Sequence, residues 1–287
     1  MLQQQMTRLA VTIENNLARF PLASRVVNDV IYRAERLLQQ SDALTPPRSL
    51  RNQVGPFDSP RLYRDIGRGV LGYFVERCGL ERHESVLDLG CGCGQIAAPL
   101  TGYLDRSARY EGFDIGDAMI DWCKQNITTR FPNFHFAALD VINTYYRPNG
   151  RVRASELVFP YADGTFDFAF AKSLFTHLLP PDAENYVKQM ARVLRPGGRA
   201  WLSFFLLDDE ALKRIAAGQS TLAMQDTSNG YWTVDRSQPE YALARPERDV
   251  LAMIERHGLA LAAPIERGSW SGRSAVSYQD SIFVTRR

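Results

Sequence analysis

The feature that most constrains this sequence is a short apolar run that ends in a loop of alternating glycines. Residues 85–89 read Ser-Val-Leu-Asp-Leu, a pattern typical of a buried strand, and residues 90–94 then read Gly-Cys-Gly-Cys-Gly. Alternating glycines let the backbone turn sharply and let a ligand approach it closely. Several classes of nucleotide site share such a loop, so it predicts a strand, a tight turn and a bound ligand, but no particular cofactor.

The chain from about residue 61 onward alternates short apolar runs with helical patterns. Helical patterns separate most of the runs, notably at 116–126 and 181–194, and this alternation predicts a parallel sheet with helices on both faces. No helical pattern separates the last two runs, so we expect that pair to be antiparallel. A further helix, at 70–78, should end at Gly79. The expected strands are 85–89, 108–113, 134–138, 166–170, 199–205, 259–265 and 281–286.

Residues 1–60 and two long connections lie outside this alternation. An apolar stripe repeats every three or four residues from Leu2 to Phe20, and 41–60 is rich in proline, so 1–60 is interpreted as a helical extension followed by a linker. The stripe needs a partner, which predicts packing on the main domain, 61–287, or a homo-oligomer. The connections at about 141–164 and 207–247 are long enough to be functional insertions that cap the sheet.

Composition argues against several classes of protein. The net charge of +2 is too small to favour nucleic acid or an anionic membrane surface. We see no apolar leader segment, and no stretch reaches the roughly 18 apolar residues of a membrane span. Cys91 and Cys93 lie too close together to pair, which favours reduced thiols in a cytoplasmic protein. The four histidines are scattered, so no metal site is expected.

Two acidic residues follow later strands at positions suited to a nucleoside. About 20 residues beyond the glycine loop the second strand ends in Asp114, where a carboxylate can accept both ribose hydroxyls. The third strand ends near Asp140, which could meet an adenine amino group. Asp114 could instead cap the next helix, and Asp140 could hold a turn. A nicotinamide dehydrogenase would carry G-x-G-x-x-G, whereas this loop reads G-x-G-x-G.

The Asp-x-Gly-x-Gly-x-Gly loop at 88–94 and the Leu-Arg-Pro-Gly-Gly turn at 194–198 make residues 65–287 resemble the class I S-adenosylmethionine (SAM)-dependent methyltransferases. The resemblance implies a Rossmann-like α/β fold whose seven strands have the order 3-2-1-4-5-7-6, with the seventh antiparallel. It also implies SAM as the cofactor and S-adenosylhomocysteine (SAH) as the product. The cofactor-binding residues implied in this way are Asp88, Gly90, Cys91, Gly92, Gly94, Asp114, Ile115, Asp140, Val141 and Lys172.

Acceptor-facing residues are expected after strands four, five and six, because ligands bind beyond the carboxyl ends of parallel strands. Metal-independent methylation of a hydroxyl needs a general base. His177 is the first candidate because its pKa lies near neutrality, although it could pack against the cofactor; Asp208 is the second, although it could start a helix. The expected substrate-binding residues, which could equally pack the insertions, are Tyr145, Trp232, Trp270 and Arg273, with Tyr146 and Tyr231 nearby.

These features favour a methyltransferase that acts on a hydroxyl of a small molecule or glycan. Residues 175–180, Phe-Thr-His-Leu-Leu-Pro, and the Ser-Trp-Ser-Gly-Arg and Ser-Tyr-Gln-Asp segments of the tail resemble methyltransferases of bacterial glycan and natural-product pathways. Strand four leads into Ala-Lys-Ser-Leu rather than the Asn/Asp-Pro-Pro-Tyr of many enzymes that methylate nucleobase amines. Two alternatives stay open, namely a protein or RNA methyltransferase and a non-catalytic SAM-binding module that regulates a partner.

Overall fold

The computed structural model describes residue 30, residues 32–34 and residues 42–287, so the predicted N-terminal helices lie almost wholly outside the described residues. Within the described part, no helix has both the length and the apolar character that crossing a bilayer requires. The helix Asp117–Cys123 continues as a π-helical turn over Lys124–Thr128. The helices of the described part are α1 (Arg48–Arg51), α2 (Pro60–Cys78), α3 (Ala97–Leu100), α4 (Asp117–Cys123), α5 (Pro180–Val193), α6 (Asp209–Ala216) and α7 (Glu247–Arg256).

The strands are β1 (Val86–Leu89), β2 (Tyr110–Asp114), β3 (Phe134–Ala138), β4 (Val141–Ile142), β5 (Val152–Arg153), β6 (Phe166–Ala171), β7 (Leu194–Phe204), β8 (Leu206–Leu207), β9 (Gln225–Asp226), β10 (Trp232–Thr233), β11 (Leu243–Pro246), β12 (Leu259–Leu261) and β13 (Asp280–Arg286). Seven of them form the main sheet in the order β3-β2-β1-β6-β7-β13-β12. Neighbours from β3 to β7 are parallel, whereas β13 runs antiparallel to both β7 and β12. The expected order, 3-2-1-4-5-7-6 with an antiparallel seventh strand, is confirmed.

The main sheet is buried on both faces, and alternate residues of its central strand enter different layers. Leu87 and Leu89 of β1 pack in the layer that contains α5 and α7, whereas Val86 packs in the layer that contains α2, α3 and α4. Strands covered on both sides need apolar residues on both sides. This requirement explains why the strands of the main sheet stand out in the sequence as apolar runs.

Helix α2 is longer than the sequence pattern predicted. It begins at Pro60 rather than near residue 70, because the Ser59 hydroxyl accepts the Leu62 N–H and proline suits the first helical position. It ends as expected at Gly79, whose φ of 62° lies in the left-handed region that favours glycine. The added turns bring Tyr63 of α2 under the glycine loop, where its hydroxyl donates to the Cys93 carbonyl at 3.1 Å.

The two long connections fold into small units at one edge of the main sheet. The first follows β3 and pairs β4 with β5 in parallel. The second follows β7 and contributes to a four-stranded sheet in the order β8-β11-β10-β9, with its own apolar core. Both begin where a parallel strand ends, which is the edge at which an open α/β sheet binds its ligands.

Candidate active site

A cavity of about 900 Å³ lies at the carboxyl ends of β1, β2, β3 and β6. Its wall has two parts, which we name by their origin. The glycine-loop side comes from the segments that follow β1, β2 and β3, together with residues 52–56 and Lys172. The second part, which we call the insertion side, comes mainly from the two insertions and the segments packed against them, namely residues 143, 145–146, 174, 176–178, 205, 222, 241–242 and 278–279. One continuous space therefore joins the predicted cofactor site to the insertions.

The glycine loop takes a backbone form that needs glycine. Gly90 and Gly92 have φ values of 80° and 52°, and a Cβ on Gly92 would lie 2.6 Å from Cγ1 of Val54. Cys91 also lines the cavity, and its N–H donates to the Phe113 carbonyl at 2.9 Å, which ties the loop to β2. Gly94 shapes the turn without contributing to the cavity wall.

Asp114 holds the glycine loop and faces the cavity at the end of β2. One carboxylate oxygen accepts the Gly92 N–H and the other accepts the Gly116 N–H, each at 2.9 Å. Burial raises the pKa of Asp114, while these N–H donors oppose that shift. A carboxylate has about four lone-pair sites, so accepting capacity remains for a ligand's hydroxyls. Ile115 also lines the cavity, next to Asp114.

Asp88 and Lys172 place an acidic and a basic group in the same part of the glycine-loop side. Asp88 is buried and accepts the Tyr110 hydroxyl at 2.6 Å, and burial raises its pKa to about 8. Lys172 comes directly after β6, and its ammonium donates to Oε1 of Gln95 at 3.3 Å. Burial lowers the pKa of Lys172, whereas Asp88 raises it. An ammonium has three N–H donors, so this site can hold a ligand carboxylate beside a group that attracts a ligand cation.

Asp140 was predicted to meet the ligand, but it is not among the residues that line the cavity, and its carboxylate pairs with arginines of the first insertion. Asp140 pairs with Arg151 and, at 3.4 Å, with Nε of Arg147, and the hydrogen bond from Arg151 lowers its pKa. Its chain neighbours Leu139 and Val141 line the cavity instead.

Residues 52–56 cover the glycine loop, although 41–60 was interpreted as a linker. Arg51 is fully buried, and its guanidinium donates to the carbonyls of Pro46 at 2.7 Å and of Phe57 and Asp58 at 3.0 Å. The side chain thus closes 46–58 into a compact loop, which we call the Arg51 loop. The prolines indicated irregular backbone correctly. The signal we missed was two arginines, Arg48 and Arg51, in a stretch with few other charges.

Tyrosines and His177 dominate the insertion side. Tyr146 contacts the His177 ring edge-on with centroids 5.2 Å apart, and Tyr145 contacts Tyr241 in the same way at 5.2 Å. Tyr145 and Tyr278 remain 42% and 47% exposed, so their rings are available at the cavity mouth. Tyr145 and His177 were predicted, whereas Tyr241 and Tyr278 were not. Tyr278 belongs to the Ser-Tyr-Gln-Asp segment of the tail, which was the available signal.

The His177 ring is held in one tautomer. Its Nδ1 lies 2.9 Å from the backbone carbonyl oxygen of Glu240. A carbonyl only accepts, so in the neutral ring Nδ1 carries the proton and Nε2 has the lone pair, while the Tyr241 backbone is a second hydrogen-bond partner of the ring. Burial lowers the pKa of His177, which keeps the ring neutral at pH 7. A neutral ring with a lone pair on Nε2 can act as a base.

Four predicted site residues lie elsewhere, because the second insertion uses them for its own packing. Asp208 caps α6 by accepting the Ala211 N–H at 2.8 Å, and it also pairs with Arg273. Trp270 is fully buried and donates its indole N–H to Asp280 at 2.6 Å, while Trp232 packs in the same small core. None of the four lines the cavity. A catalytic role for Asp208 and substrate contacts for the other three therefore do not fit this arrangement.

Comparisons with known proteins agree with the fold. Residues 86–198 match the methyltransferase domain family. An O-methyltransferase, cnsE, from Penicillium expansum is 26% identical over 183 residues, which are 59% of this chain and 56% of that protein. The 27-O-demethylrifamycin SV methyltransferase of Amycolatopsis mediterranei is 26% identical over 174 residues, 57% of each. The chain thus spans about half the length of these curated relatives.

A solved SAM-dependent methyltransferase from Aquifex aeolicus shares the fold. It superposes with a TM-score of 0.50 over 83% of this chain and 97% of its own, at 16% sequence identity. The sheet order with its antiparallel strand, the glycine loop at the end of β1 and the matched domain family all point to the same group. Residues 86–198 of this chain thus form a methyltransferase domain, and the fold around them is that of the SAM-dependent methyltransferases.

Proposed function

We propose that this protein transfers the methyl group of SAM to a hydroxyl of a neutral small molecule or glycan, without a metal ion, and that His177 is the general base. The observation that carries the proposal is that one cavity is lined by both the glycine loop and His177. A methyl acceptor on the insertion side would therefore share one space with a cofactor on the glycine-loop side. Short separation and correct orientation of reactants supply much of the rate enhancement in such transfers.

The glycine-loop side fits SAM group by group. Lys172 suits the α-carboxylate of the methionine part, and Asp88 suits its α-ammonium. Asp114 suits the ribose hydroxyls, and Ile115 with Val141 provides apolar surface for the adenine. When bound, SAM supplies a methyl group activated by a sulfonium centre. The chain's part is to hold the acceptor oxygen near that methyl group and to remove the oxygen's proton.

The insertion side favours a neutral acceptor. Among the described residues that line the cavity, the charged side chains are Asp88, Asp114 and Lys172, and all of them belong to the glycine-loop side. A phosphate or carboxylate on the insertion side would lose its hydration without gaining a counter-charge. Tyr241 and Tyr278 instead offer aromatic faces and hydroxyls, which suit the apolar faces and polar edges of a ring compound or a sugar.

His177 has the properties that a base for hydroxyl methylation requires. As the new carbon–oxygen bond forms, the hydroxyl proton passes to Nε2, and the Glu240 carbonyl stabilises the resulting imidazolium through Nδ1–H. Metal independence is a separate part of the proposal. Among the described residues, no three His, Cys, Asp or Glu side chains are grouped so that they could hold an ion.

The arginines of the first insertion do not favour an RNA acceptor. Arg147 pairs with Asp117 at 2.8 Å and with Asp140 at 3.4 Å, and Arg151 also pairs with Asp140. Their charges are therefore compensated locally instead of forming a basic surface for phosphates. We also propose a cytoplasmic location, supported by all four cysteines being free thiols, as is usual in a reducing compartment.

The proposal can be tested by measuring turnover with labelled SAM and pairs of acceptors. Each pair consists of a neutral phenol, aliphatic alcohol or sugar and its carboxylated or phosphorylated form. We expect methylation of neutral hydroxyls, no loss of rate with EDTA, and a roughly 10²–10⁴-fold lower kcat for His177→Ala with SAH affinity preserved. His83→Ala, an exposed histidine, is the control. Methylation at carbon or nitrogen, inhibition by EDTA or a fully active His177→Ala would contradict it. If no acceptor is turned over although SAM binds, the non-catalytic module is favoured.

A further inference from the structure

Glu240 is a buried carboxylate that the proposed reaction does not use. It lies in the second insertion, in the turn Pro239–Tyr241, and only 4% of it is exposed. Burying a carboxylate is costly unless hydrogen-bond donors surround it. The identity of those donors shows what this residue does.

The described hydrogen-bond donors to this carboxylate all come from the first insertion. Oε1 accepts from Nδ2 of Asn143 at 3.0 Å. Oε2 accepts the backbone N–H of Thr144 at 2.6 Å and also the Thr144 hydroxyl. The Glu240 carboxylate thus joins the two insertions, which lie about 100 residues apart in the chain. Both of its oxygens have to accept hydrogen bonds for this contact to form.

Asn143 cannot turn to suit a different partner. Its Oδ1 accepts the N–H groups of Tyr145 at 3.1 Å and Tyr146 at 2.8 Å. Its amide therefore has to present Nδ2 to Glu240, and the same nitrogen lies 3.3 Å from the His177 carbonyl oxygen. The orientation of Asn143 is fixed by backbone groups, so the hydrogen-bonding polarity of this contact is fixed too.

The same residue holds the candidate base from the other side. The backbone carbonyl of Glu240 accepts Nδ1–H of His177 at 2.9 Å, while its side chain anchors the segment that carries Tyr145 and Tyr146. Tyr146 in turn packs edge-on against the His177 ring. One residue therefore links the first insertion, the segment after β6 and the second insertion.

We propose that Glu240 is a positioning residue that clamps the two insertions together and fixes the tautomer of His177. This inference rests on the proposed function, because it takes the insertion side of the cavity as the acceptor site. Glu240 touches no reacting atom and acts through His177 and the tyrosines. Its carboxylate is required because an amide in its place would set an NH₂ group against either Asn143 or Thr144.

The clamp can be tested by reversing its hydrogen-bonding polarity. Glu240→Gln would place an amide NH₂ group against an N–H donor of the first insertion, and Asn143→Asp would place two carboxylates against each other. In the double variant, the carboxylate introduced at position 143 can accept the N–H groups of Tyr145 and Tyr146 with one oxygen and the amide introduced at position 240 with the other. We expect both single variants to lose the clamp and the double variant to restore it. Glu210→Gln, at an exposed glutamate that pairs with Arg214, is the matched control.

Nitrogen-15 NMR of the His177 ring gives a readout that needs no acceptor. Wild type, the control and the double variant should show the Nδ1–H tautomer and a pKa below its ordinary value of about 6.5. Each single variant should show mixed tautomers and a pKa shifted back toward that value, with SAH affinity by calorimetry within about twofold of wild type. An unchanged His177 ring in Glu240→Gln overturns the clamp, and so does a double variant that fails to recover the wild-type ring. A restored ring without any hydroxyl methylation would leave the clamp standing and refute only the proposed function.

Discussion

Asp88 and Lys172 show how single side chains prepare the cavity for a zwitterion. Burial opposes the charge on each of them, raising the pKa of the acid to about 8 and lowering that of the base. A ligand that brings an ammonium to one and a carboxylate to the other relieves both penalties. Part of the binding free energy should therefore come from stabilising two charges that burial disfavours.

Replacing Asp88 should make stability less dependent on pH. An aspartate carboxyl has an ordinary pKa of 3.8, whereas that of Asp88 is about 8 in the folded chain, so the folded chain holds a proton that the unfolded chain releases. The resulting stabilisation is complete below about pH 4 and is lost as the pH rises through about 8. Between those limits, the free energy of unfolding, measured in urea without cofactor, should decrease more steeply with rising pH for wild type than for Asp88→Asn. Asp65→Asn, at an exposed position on α2, serves as the control, and parallel curves for wild type and Asp88→Asn would refute the pKa assignment.

The position of Asp114 follows from local sequence, whereas the surroundings of Asp140 and Trp270 do not. Asp114 is placed by its own strand and by N–H groups of adjacent turns, so local sequence determines where it points. Asp140 is directed by Arg147 and Arg151 of the first insertion, and Trp270 by Asp280. These partners depend on how separate segments pack, which residue types and spacing do not reveal.

Among the elements, the Arg51 loop covers part of the glycine-loop side. Val54 of this loop packs over Gly92, so the loop and the glycine turn are shaped for each other. The strands of the main sheet were predictable because burial on both faces requires apolar runs. This loop was not, because its shape depends on one buried guanidinium and not on any apolar period.

Arg51→Met should loosen this loop and weaken cofactor binding. The substitution removes the hydrogen bonds donated to three backbone carbonyls and leaves those carbonyls buried. We expect SAH affinity, measured by calorimetry, to fall by about tenfold or more, together with a lower free energy of unfolding. Arg61→Met, at an arginine whose side chain is 86% exposed, should change neither. Wild-type affinity in a folded Arg51→Met protein would show that the loop does not help to hold the cofactor.

Across the whole molecule, cofactor and acceptor surfaces come from different parts of the chain. The glycine loop and the Arg51 loop form one side of the cavity, and the two insertions form the other together with the segment after β6, Phe205 and residues 278–279. The insertions are joined through Glu240, and the second has its own apolar core, so they can behave as one wall. This division lets the acceptor wall change without disturbing the sheet, which is why the fold alone does not name the acceptor.

The N-terminal extension is the part of the chain whose role remains a prediction from sequence. Its stripe from Leu2 to Phe20 lies outside the described residues, whereas the described cavity wall begins at Asn52. Its stripe could pack on the main domain or on a second copy of the chain, and we propose the second copy.

Deleting residues 1–41 should change the association state while preserving cofactor binding. A single amphipathic helix of this length is marginal in water, so its stripe needs a covering surface, and a second copy of the chain would supply one. Light scattering should report a smaller assembly, and calorimetry should report SAH affinity within about threefold of the full chain. Leu9→Gln with Ile13→Gln should reproduce the smaller assembly, while Arg8→Gln with Glu14→Gln should not, because the second pair lies off the stripe. An unchanged assembly would refute association through the stripe, and a tenfold loss of affinity would place the extension over the cofactor instead.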